Sequence, residues 1–321
     1  MEYDVFKEMS EIIGVSGYEN QVRELIKQHV KDIPQVTVST DKIGNLICHM
    51  DGQSDNPSKV MIIGHMDEVG FQVLNVDDQG KAHVKTLGNI KTWNGLNQIV
   101  KTADGNKTGY ISCDDPEGLK PHDYDKIYVV PINGIFEIGD VLGFETKLIE
   151  TEKSFIGKAL DNRISCYLMY QLLSSCIVPH NSIDFVFSVQ EEIGMRGARV
   201  AITEKNPDII IDLDTSPIGE NNSLKIGNGV GIKLSDSIGV SSEYLVNMIE
   251  TYSKENGIDY QREVSDCGTA ELIITNEKDA GADRVGISIP CCNIHSTKTT
   301  IYKKDIIECQ KLLKQIFTKG F

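Results

Sequence analysis

Apolar residues recur along this chain at two spacings, one typical of helices and the other of buried strands. In "GVSGYENQVRELIKQHV", Ser16 and Glu19 have the spacing of a capping box. The apolar residues that follow fall on one helical face, and they are Val22, Leu25, Ile26 and Val30. The pattern predicts an amphipathic helix capped by Ser16.

Short runs rich in β-branched residues alternate with further helical patterns. The runs "QVTVSTD", "NLICHM", "KVMIIGHM", "NSIDFVFSVQ", "PDIIIDLD" and "RVGISIP" have the composition of strands. Helical periodicity marks "KALDNRISCYLMYQLLSSC", "SSEYLVNMIETYSKENG" and "KKDIIECQKLLKQIF". This alternation predicts an α/β fold with a central mixed sheet flanked by helices.

The pattern changes between about Phe71 and Glu152. Strand and turn signals dominate there, as in "KTADGNKTGYISC", "DKIYVVPING" and "GDVLGFETKLIE", and helical periodicity is almost absent. We therefore predict a small all-β domain at residues 71–152. It interrupts an α/β domain formed by residues 1–70 and 153–321.

Composition and charge exclude several classes of protein. The chain has 321 residues, of which 40% are hydrophobic, so it is long enough for one large domain or two smaller ones. A net charge of −15 argues against nucleic acid or an anionic membrane as the main partner. The apolar runs are far shorter than the roughly 20 residues that span a bilayer.

The amino terminus and the cysteines bear on location. "MEYDVFKEMSEIIG" is acidic and lacks the basic segment and long apolar stretch of a secretory signal. The eight cysteines form no CxxC pair, so we expect reduced thiols, most of them buried. Both observations predict a cytoplasmic protein.

Ionisable residues gather at the predicted ends of strands and starts of helices, where open α/β sheets form their sites. The set comprises His65, Asp67, Asp161, Glu191, Glu192, Asp212, Asp214 and His295. A lone histidine or an adjacent Glu-Glu pair is common outside any site. Two histidines and several carboxylates at such ends together indicate a divalent cation such as zinc, cobalt or manganese.

The motifs and their order carry a resemblance over nearly the whole chain. They are "GVSGYEN", "DKIGNLI", "GHMDEVGF", "GKALDNR", "VQEEIGMRGA" and "IPCCNIHS". With them the chain resembles the tetrahedral aminopeptidase (glutamyl aminopeptidase-like) family of dinuclear metallopeptidases. The resemblance implies a metallopeptidase-type α/β catalytic domain and two divalent metal ions per subunit, with zinc preferred to cobalt or manganese.

The resemblance also assigns the ligands residue by residue. Asp161 corresponds to the residue that bridges the two ions. The other implied ligands are His65, Glu192, Asp214 and His295. Counting along the chain from Glu192 and from Pro207 favours Asp214 over Asp212, although both would face the same side of a strand.

Two further residues receive roles by resemblance. Glu191 corresponds to the general base, and Asp67 to a residue that supports the region of the metal-binding histidine. The implied reaction is the hydrolysis of N-terminal residues from short peptides by metal-activated water. Glu191 would take up the proton and return it to the leaving amine.

The β insert corresponds to the family's dimerisation domain and implies a homo-oligomer, with a tetrahedral dodecamer as the form common in the family. The chain departs from the family at "CGTAE", Cys267–Glu271, where a "GGTDA"-like run is usual. That difference leaves the preferred N-terminal residue open.

Two alternative functions are compatible with the sequence. Paired carboxylates also serve glycoside hydrolases of the endoglucanase kind, which do not need two histidines among them. The chain would otherwise be a catalytically impaired oligomer that keeps its metal-binding residues. Chelation and assays on β-glucans and aminoacyl substrates distinguish the three.

Overall fold

The computed structural model describes residues 3–55, 58–237, 239–266 and 281–321. The departure at Cys267–Glu271 lies outside these ranges. The α-helices in the described part of the chain are α1 (Asp4–Glu11), α2 (Asn20–Val30), α3 (Thr92–Gly95), α4 (Leu160–Leu173), α5 (Arg196–Lys205), α6 (Glu243–Glu255) and α7 (Lys303–Lys319).

A large mixed sheet forms the centre of the molecule. Its strands are β1 (Thr37–Thr40), β2 (Leu46–Met50), β3 (Val60–His65), β10 (Ile149–Glu150), β11 (Ser154–Gly157), β12 (Ile183–Ser188), β13 (Ile209–Pro217), β14 (Val230–Ser235), β15 (Tyr260–Val264), β16 (Asp283–Cys292) and β17 (Thr299–Tyr302). Their order is β1-β2-β12-β3-β13-β16-β17-β11-β10, with β14 paired to β16 and β15 to β14. The neighbours β12, β3, β13 and β16 run parallel, whereas β2 and β17 are antiparallel to this block.

Helices cover both faces of this sheet. Successive side chains of a strand point to opposite faces, so apolar residues on both faces need a covering layer. Ile62 and Phe185 face the core that includes α4, α6 and α7. Their neighbours Met61 and Val186 point the other way, toward α5. The predicted α/β class with a central mixed sheet is confirmed.

A closed barrel interrupts this fold between β3 and β10. Its strands are β4 (Gly70–Val76), β5 (Ala82–Leu87), β6 (Ile99–Thr102), β7 (Thr108–Cys113), β8 (Ile127–Asn133) and β9 (Val141–Phe144), joined in the order β4-β5-β8-β7-β6-β9. It has its own apolar core, which includes Phe71, Val100, Val129 and Phe144. The predicted all-β insert is therefore present; the domain boundaries at residues 70/71 and 152/153 remain a prediction.

The capping prediction for Ser16 is wrong. Helix α2 begins at Asn20 after Glu19, and no side-chain hydrogen bond caps it. The Ser16 hydroxyl donates instead to Oδ2 of Asp67, at 2.5 Å. A capping box describes the local chain, and a distant buried carboxylate competes for the same hydroxyl.

No helix in the described part of the chain is both long and apolar enough to cross a membrane.

Candidate active site

Several chain segments meet at the carboxyl ends of the parallel strands. Strand β3 ends at His65, Asp214 lies in β13, and the Glu191–Glu192 pair follows β12. The start of α4 and the loop between β16 and β17 approach the same edge, where parallel strands create a crevice. The side chains brought together there are His65, Asp161, Glu191, Glu192, Asp214 and His295.

Asp161 joins two half-sites. Its Oδ1 lies 3.2 Å from Nε2 of His65, and its Oδ2 lies 3.2 Å from Nε2 of His295. One ligand atom each from His65, Asp161 and Asp214 lie within 4.8 Å of one another. The same holds for Asp161, Glu192 and His295. Each half-site thus has an imidazole and a carboxylate of its own and shares Asp161 with the other.

Glu191 lies beside the half-sites, whereas Asp212, the alternative to Asp214 in the sequence analysis, does not reach them. Oε2 of Glu191 is 3.9 Å from Nε2 of His65, and Glu191 forms a third close group with His65 and Glu192. Asp212 is buried in β13 and belongs to none of the groups formed by described residues. Asp214, two residues later, is the β13 carboxylate that reaches the site.

Backbone carbonyls orient both imidazoles. Nδ1 of His65 lies 3.1 Å from the Asp67 carbonyl oxygen, and Nδ1 of His295 lies 2.7 Å from that of Asn89. A carbonyl can only accept, so each Nδ1 carries the proton and donates it. Nε2 of each ring then faces the carboxylates, as in metal-binding histidines. Asn89 belongs to the barrel insert, which therefore contributes to the site.

The carboxylates and imidazoles shift one another's pKa. Burial alone would lower the pKa of His65, but hydrogen bonds to Asp161 and Asp67 raise it well above its usual value. For His295, burial is likewise outweighed by Glu192 and Asp161, and its pKa is raised. Burial and the charge of Asp161 raise the pKa of Asp214 well above its usual value.

The pKa of Asp161 is shifted in the opposite direction. Its burial favours the neutral acid, but hydrogen bonds from His295 and His65 outweigh burial and lower its pKa. Burial raises the pKa of Glu192, against the attraction of His295. The charge states of the site are thus set jointly by all of its members.

Asp67 holds the turn that carries the glutamate pair. Its Oδ1 accepts a hydrogen bond from the Glu191 N–H at 2.9 Å, and its Oδ2 accepts one from the Glu192 N–H at 3.2 Å. The Oδ1 atom also lies 3.4 Å from Nδ1 of His65. Asp67 is fully buried, so it links the strand end at His65 to the turn after β12.

Sequence reasoning missed three side chains that support this turn. Ser16 donates to Asp67, Glu19 accepts from the Gln190 N–H at 3.0 Å, and Asn45 accepts from the Val189 N–H at 3.0 Å. All three residues lie in the motifs "GVSGYEN" and "DKIGNLI", whose local patterns indicate only a helix start and a strand. Their partners are distant in sequence, so no spacing rule identifies them.

The cluster opens into a cavity and a wider cleft. The cavity, of about 250 Å³, is lined by the six clustered side chains together with Gly194, Met195, Thr215 and Ile294. His295, Ile294 and Asn89 also line the adjoining cleft of about 610 Å³. Lys91, Trp93 and Asn94 from the segment between β5 and β6 line this cleft, and so do residues 217–222. Such a cleft has room for several residues of a peptide.

Comparison with known proteins identifies one family. The model of the M42 glutamyl aminopeptidase family matches residues 44–129 and 132–312. Among curated relatives, the glutamyl aminopeptidase of Lactococcus lactis is 27% identical, with 98% of this chain and 96% of that protein covered.

Solved structures share the fold over nearly the full length. An aminopeptidase from Desulfurococcus kamchatkensis has a TM-score of 0.91 at 22% identity, with 99% of this chain and 94% of that one covered. The TET1 peptidase of Pyrococcus horikoshii, described as assembling into a tetrahedron or a large octahedral shell, has a TM-score of 0.87 at 22% identity, covering 98% and 99%. A Thermotoga maritima protein described as an endoglucanase has a TM-score of 0.82 at 26% identity, covering 98% and 97%.

Proposed function

Because this chain belongs to the M42 glutamyl aminopeptidase family, we propose that it removes N-terminal residues from short peptides with the help of two divalent cations. The chain is an aminopeptidase, a hydrolase of peptide bonds. The observation that carries the mechanistic proposal is the pair of half-sites that share Asp161. The proposed ligands are His65, Asp161, Glu192, Asp214 and His295.

The donor set fits divalent cations. Imidazole nitrogen and carboxylate oxygen together suit zinc, cobalt and manganese, and we propose zinc first. Four acidic side chains, Asp161, Glu191, Glu192 and Asp214, are gathered in and beside the two half-sites. The raised pKa values of Asp214 and Glu192 indicate that these two carboxylates are short of positive charge.

Bound cations would polarise the scissile carbonyl and make water acidic enough to attack at neutral pH. Glu191 then acts as the proton carrier, since it lies beside both half-sites and belongs to neither. Its carboxylate takes the proton of the attacking water and returns it to the leaving nitrogen. Asp67 keeps Glu191 in reach through its hydrogen bond to the backbone.

Glu191→Gln tests this assignment. The amide cannot accept a proton as the carboxylate does, so we expect kcat on aminoacyl-anilides to fall by roughly 10²- to 10⁴-fold. Metal content, measured by mass spectrometry, should stay at the wild-type level. Glu204→Gln, an exposed position on α5, serves as the control and should keep full activity. Wild-type turnover in Glu191→Gln would remove Glu191 from the role of base.

The same assays address the alternatives. The endoglucanase description of the Thermotoga maritima relative favours a test on β-glucans. The two imidazoles in the cluster support the peptidase, because a glycosidase pair needs only two carboxyls. Hydrolysis of β-glucan that survives chelation would establish the glycosidase. Metal binding without hydrolysis of any aminoacyl or dipeptide substrate would establish an impaired enzyme.

We also propose that the inserted domain at residues 71–152, which contains the barrel, mediates assembly of a homo-oligomer. Three large apolar side chains are exposed on its surface. Ile132 lies in β8, and Ile135 and Ile138 lie between β8 and β9. The tetrahedron, one of the two assemblies described for the Pyrococcus horikoshii peptidase, and the dodecamer described for a structure of a TET1 peptidase support a tetrahedral dodecamer. A cytoplasmic location is part of the proposal, since the described cysteines form no disulfide.

A further inference from the structure

The turn after β12 holds its backbone through side chains. Gln190 has a φ of 58°, so the chain leaves both strand and helix geometry there. The Val189 N–H donates to Asn45, and the Gln190 N–H donates to Oε1 of Glu19. The next two N–H groups donate to Asp67. Four consecutive amides are therefore held by three side chains from other parts of the chain.

Glu19 connects this turn to the N-terminal loop. The same Oε1 atom that accepts from Gln190 also accepts from the Gly17 N–H, at 2.7 Å. Ser16, in the same loop, donates to Oδ2 of Asp67. The loop at residues 16–19 thus contacts the turn twice, once directly through Glu19 and once through Asp67.

The position of Glu19 is unfavourable for an ordinary carboxylate. Glu19 is 4% exposed, and burial together with the nearby charge of Asp67 raises its pKa to about 7, against the backbone N–H donors. A buried acid beside a second buried acid is destabilising unless the contacts it makes offset that cost. The contacts that Glu19 makes are with the backbone of the loop and of the turn.

We propose that Glu19 is a positioning residue for Glu191: it fixes the turn from which the proton carrier projects, through the Gln190 amide. The proposal rests on the proposed function of Glu191. A displacement of about 1 Å in a reacting group costs on the order of 10²-fold in rate, so anchoring of the backbone next to Glu191 is a direct determinant of turnover.

The test compares Glu19→Ala with Glu19→Gln. Alanine removes the acceptor for Gly17 and Gln190, and we expect kcat to fall by about 10- to 100-fold with KM within about twofold. Glutamine keeps an Oε1 acceptor in the same place and should restore kcat to within about threefold. The control is Glu24→Ala, which changes an exposed carboxylate on α2, the helix that begins just after Glu19, and should leave kcat unchanged.

Amide hydrogen exchange of residues 188–193 gives a readout that does not depend on activity. We expect faster exchange there in Glu19→Ala, no change in Glu19→Gln, and unchanged metal content in both. If Glu19→Ala does not fold, Glu19→Asp takes its place, because it keeps the carboxylate while its shorter side chain draws the acceptor away from the Gly17 and Gln190 amides.

Equal loss of kcat in the alanine and glutamine variants, or unchanged exchange of the turn in Glu19→Ala, would overturn the proposal. A wild-type enzyme inactive on every peptide would refute the proposed function, and the exchange measurement would still decide whether Glu19 anchors the turn.

Discussion

At the residue scale, the proton affinity of each histidine in the site is set by the carboxylates beside it. The Nε2 atoms of His65 and His295 face carboxylates within 3.2 Å, and both imidazoles bind protons more tightly as a result. The same two nitrogens are the proposed ligands of the cations. Protons and metal ions therefore compete for the same atoms at the residue scale.

The raised pKa values also determine how the stability of the metal-free fold changes with pH. A histidine whose pKa is raised in the folded protein stabilises the fold fully below its unfolded pKa, and that contribution is lost as pH rises through the raised value. The raised pKa of Asp214 acts in the same sense. We therefore expect the melting temperature of the chelated enzyme to fall as pH rises above about 6.5, the ordinary pKa of histidine.

Added zinc or manganese should reverse this loss, with an apparent metal affinity that rises over the same pH range. Thermal melts at a series of pH values, with and without metal, measure both effects. A melting temperature of the chelated protein that rises with pH across this window would contradict the pKa directions of His65, His295 and Asp214.

At the scale of elements, a buried ion network joins three segments that lead into the site. Lys158, just before α4, donates to both carboxylate oxygens of Glu68 at 2.7 and 2.9 Å and to the Ile12 carbonyl at 2.9 Å. Arg163 in α4 donates to the Met66 carbonyl at 2.5 Å. The loop after α1, the loop after β3 and the start of α4 are thereby held together.

Lys158→Met tests this network. Removal of one partner of a buried ion pair leaves Glu68 with less compensation, so we expect the free energy of unfolding to drop by about 3–5 kcal/mol. Denaturation by urea measures it. The double variant Lys158→Met/Glu68→Gln should lose less than the two single losses added together. Lys147→Met, which removes an exposed pair with Glu11, is the control and should show no measurable change. A loss in Lys158→Met no larger than that of this control would contradict the prediction.

At the scale of the whole molecule, one surface of the barrel domain contacts the site and another exposes apolar side chains. One side reaches the site through Asn89, and Asn94 donates to the His295 carbonyl at 3.3 Å. Another part of its surface exposes Ile132, Ile135 and Ile138, which are 58%, 81% and 75% exposed. Large apolar side chains exposed this close together in the sequence favour a surface that another protein covers, and we propose that a second copy of this chain covers it.

Ile135→Asp measures the part that this surface plays in assembly. A charge buried in an apolar interface is strongly unfavourable, so we expect sedimentation at micromolar concentration to shift from an oligomer to a smaller species. Val178→Asp changes an apolar, 45% exposed side chain outside residues 71–152 and should leave the assembly intact. A wild-type chain that sediments as a stable monomer would remove the oligomer from the proposal.

Much of the fold was predictable because it depends on local patterns. The alternation of "KVMIIGHM", "NSIDFVFSVQ" and "PDIIIDLD" with helical segments indicates parallel strands, and parallel strands bring their carboxyl ends to one edge. The positions of His65, Asp161 and Glu192 beside such ends follow from that rule. After Phe71 helical periodicity gives way to strand and turn signals, and this change indicates the β insert. The spacing of apolar residues reflects which faces of an element are buried.

Which atoms meet was decided by the tertiary structure. The sequence alone placed Asp212 and Asp214 on one side of a strand, and only the register of β13 against β3 and β16 brings Asp214 to His65. Ser16 has a capping pattern, yet its hydroxyl bonds Asp67, 51 residues away. Local propensity determines elements, whereas hydrogen bonds between buried groups depend on how the chain closes on itself, and spacing along the sequence carries no information on that closure.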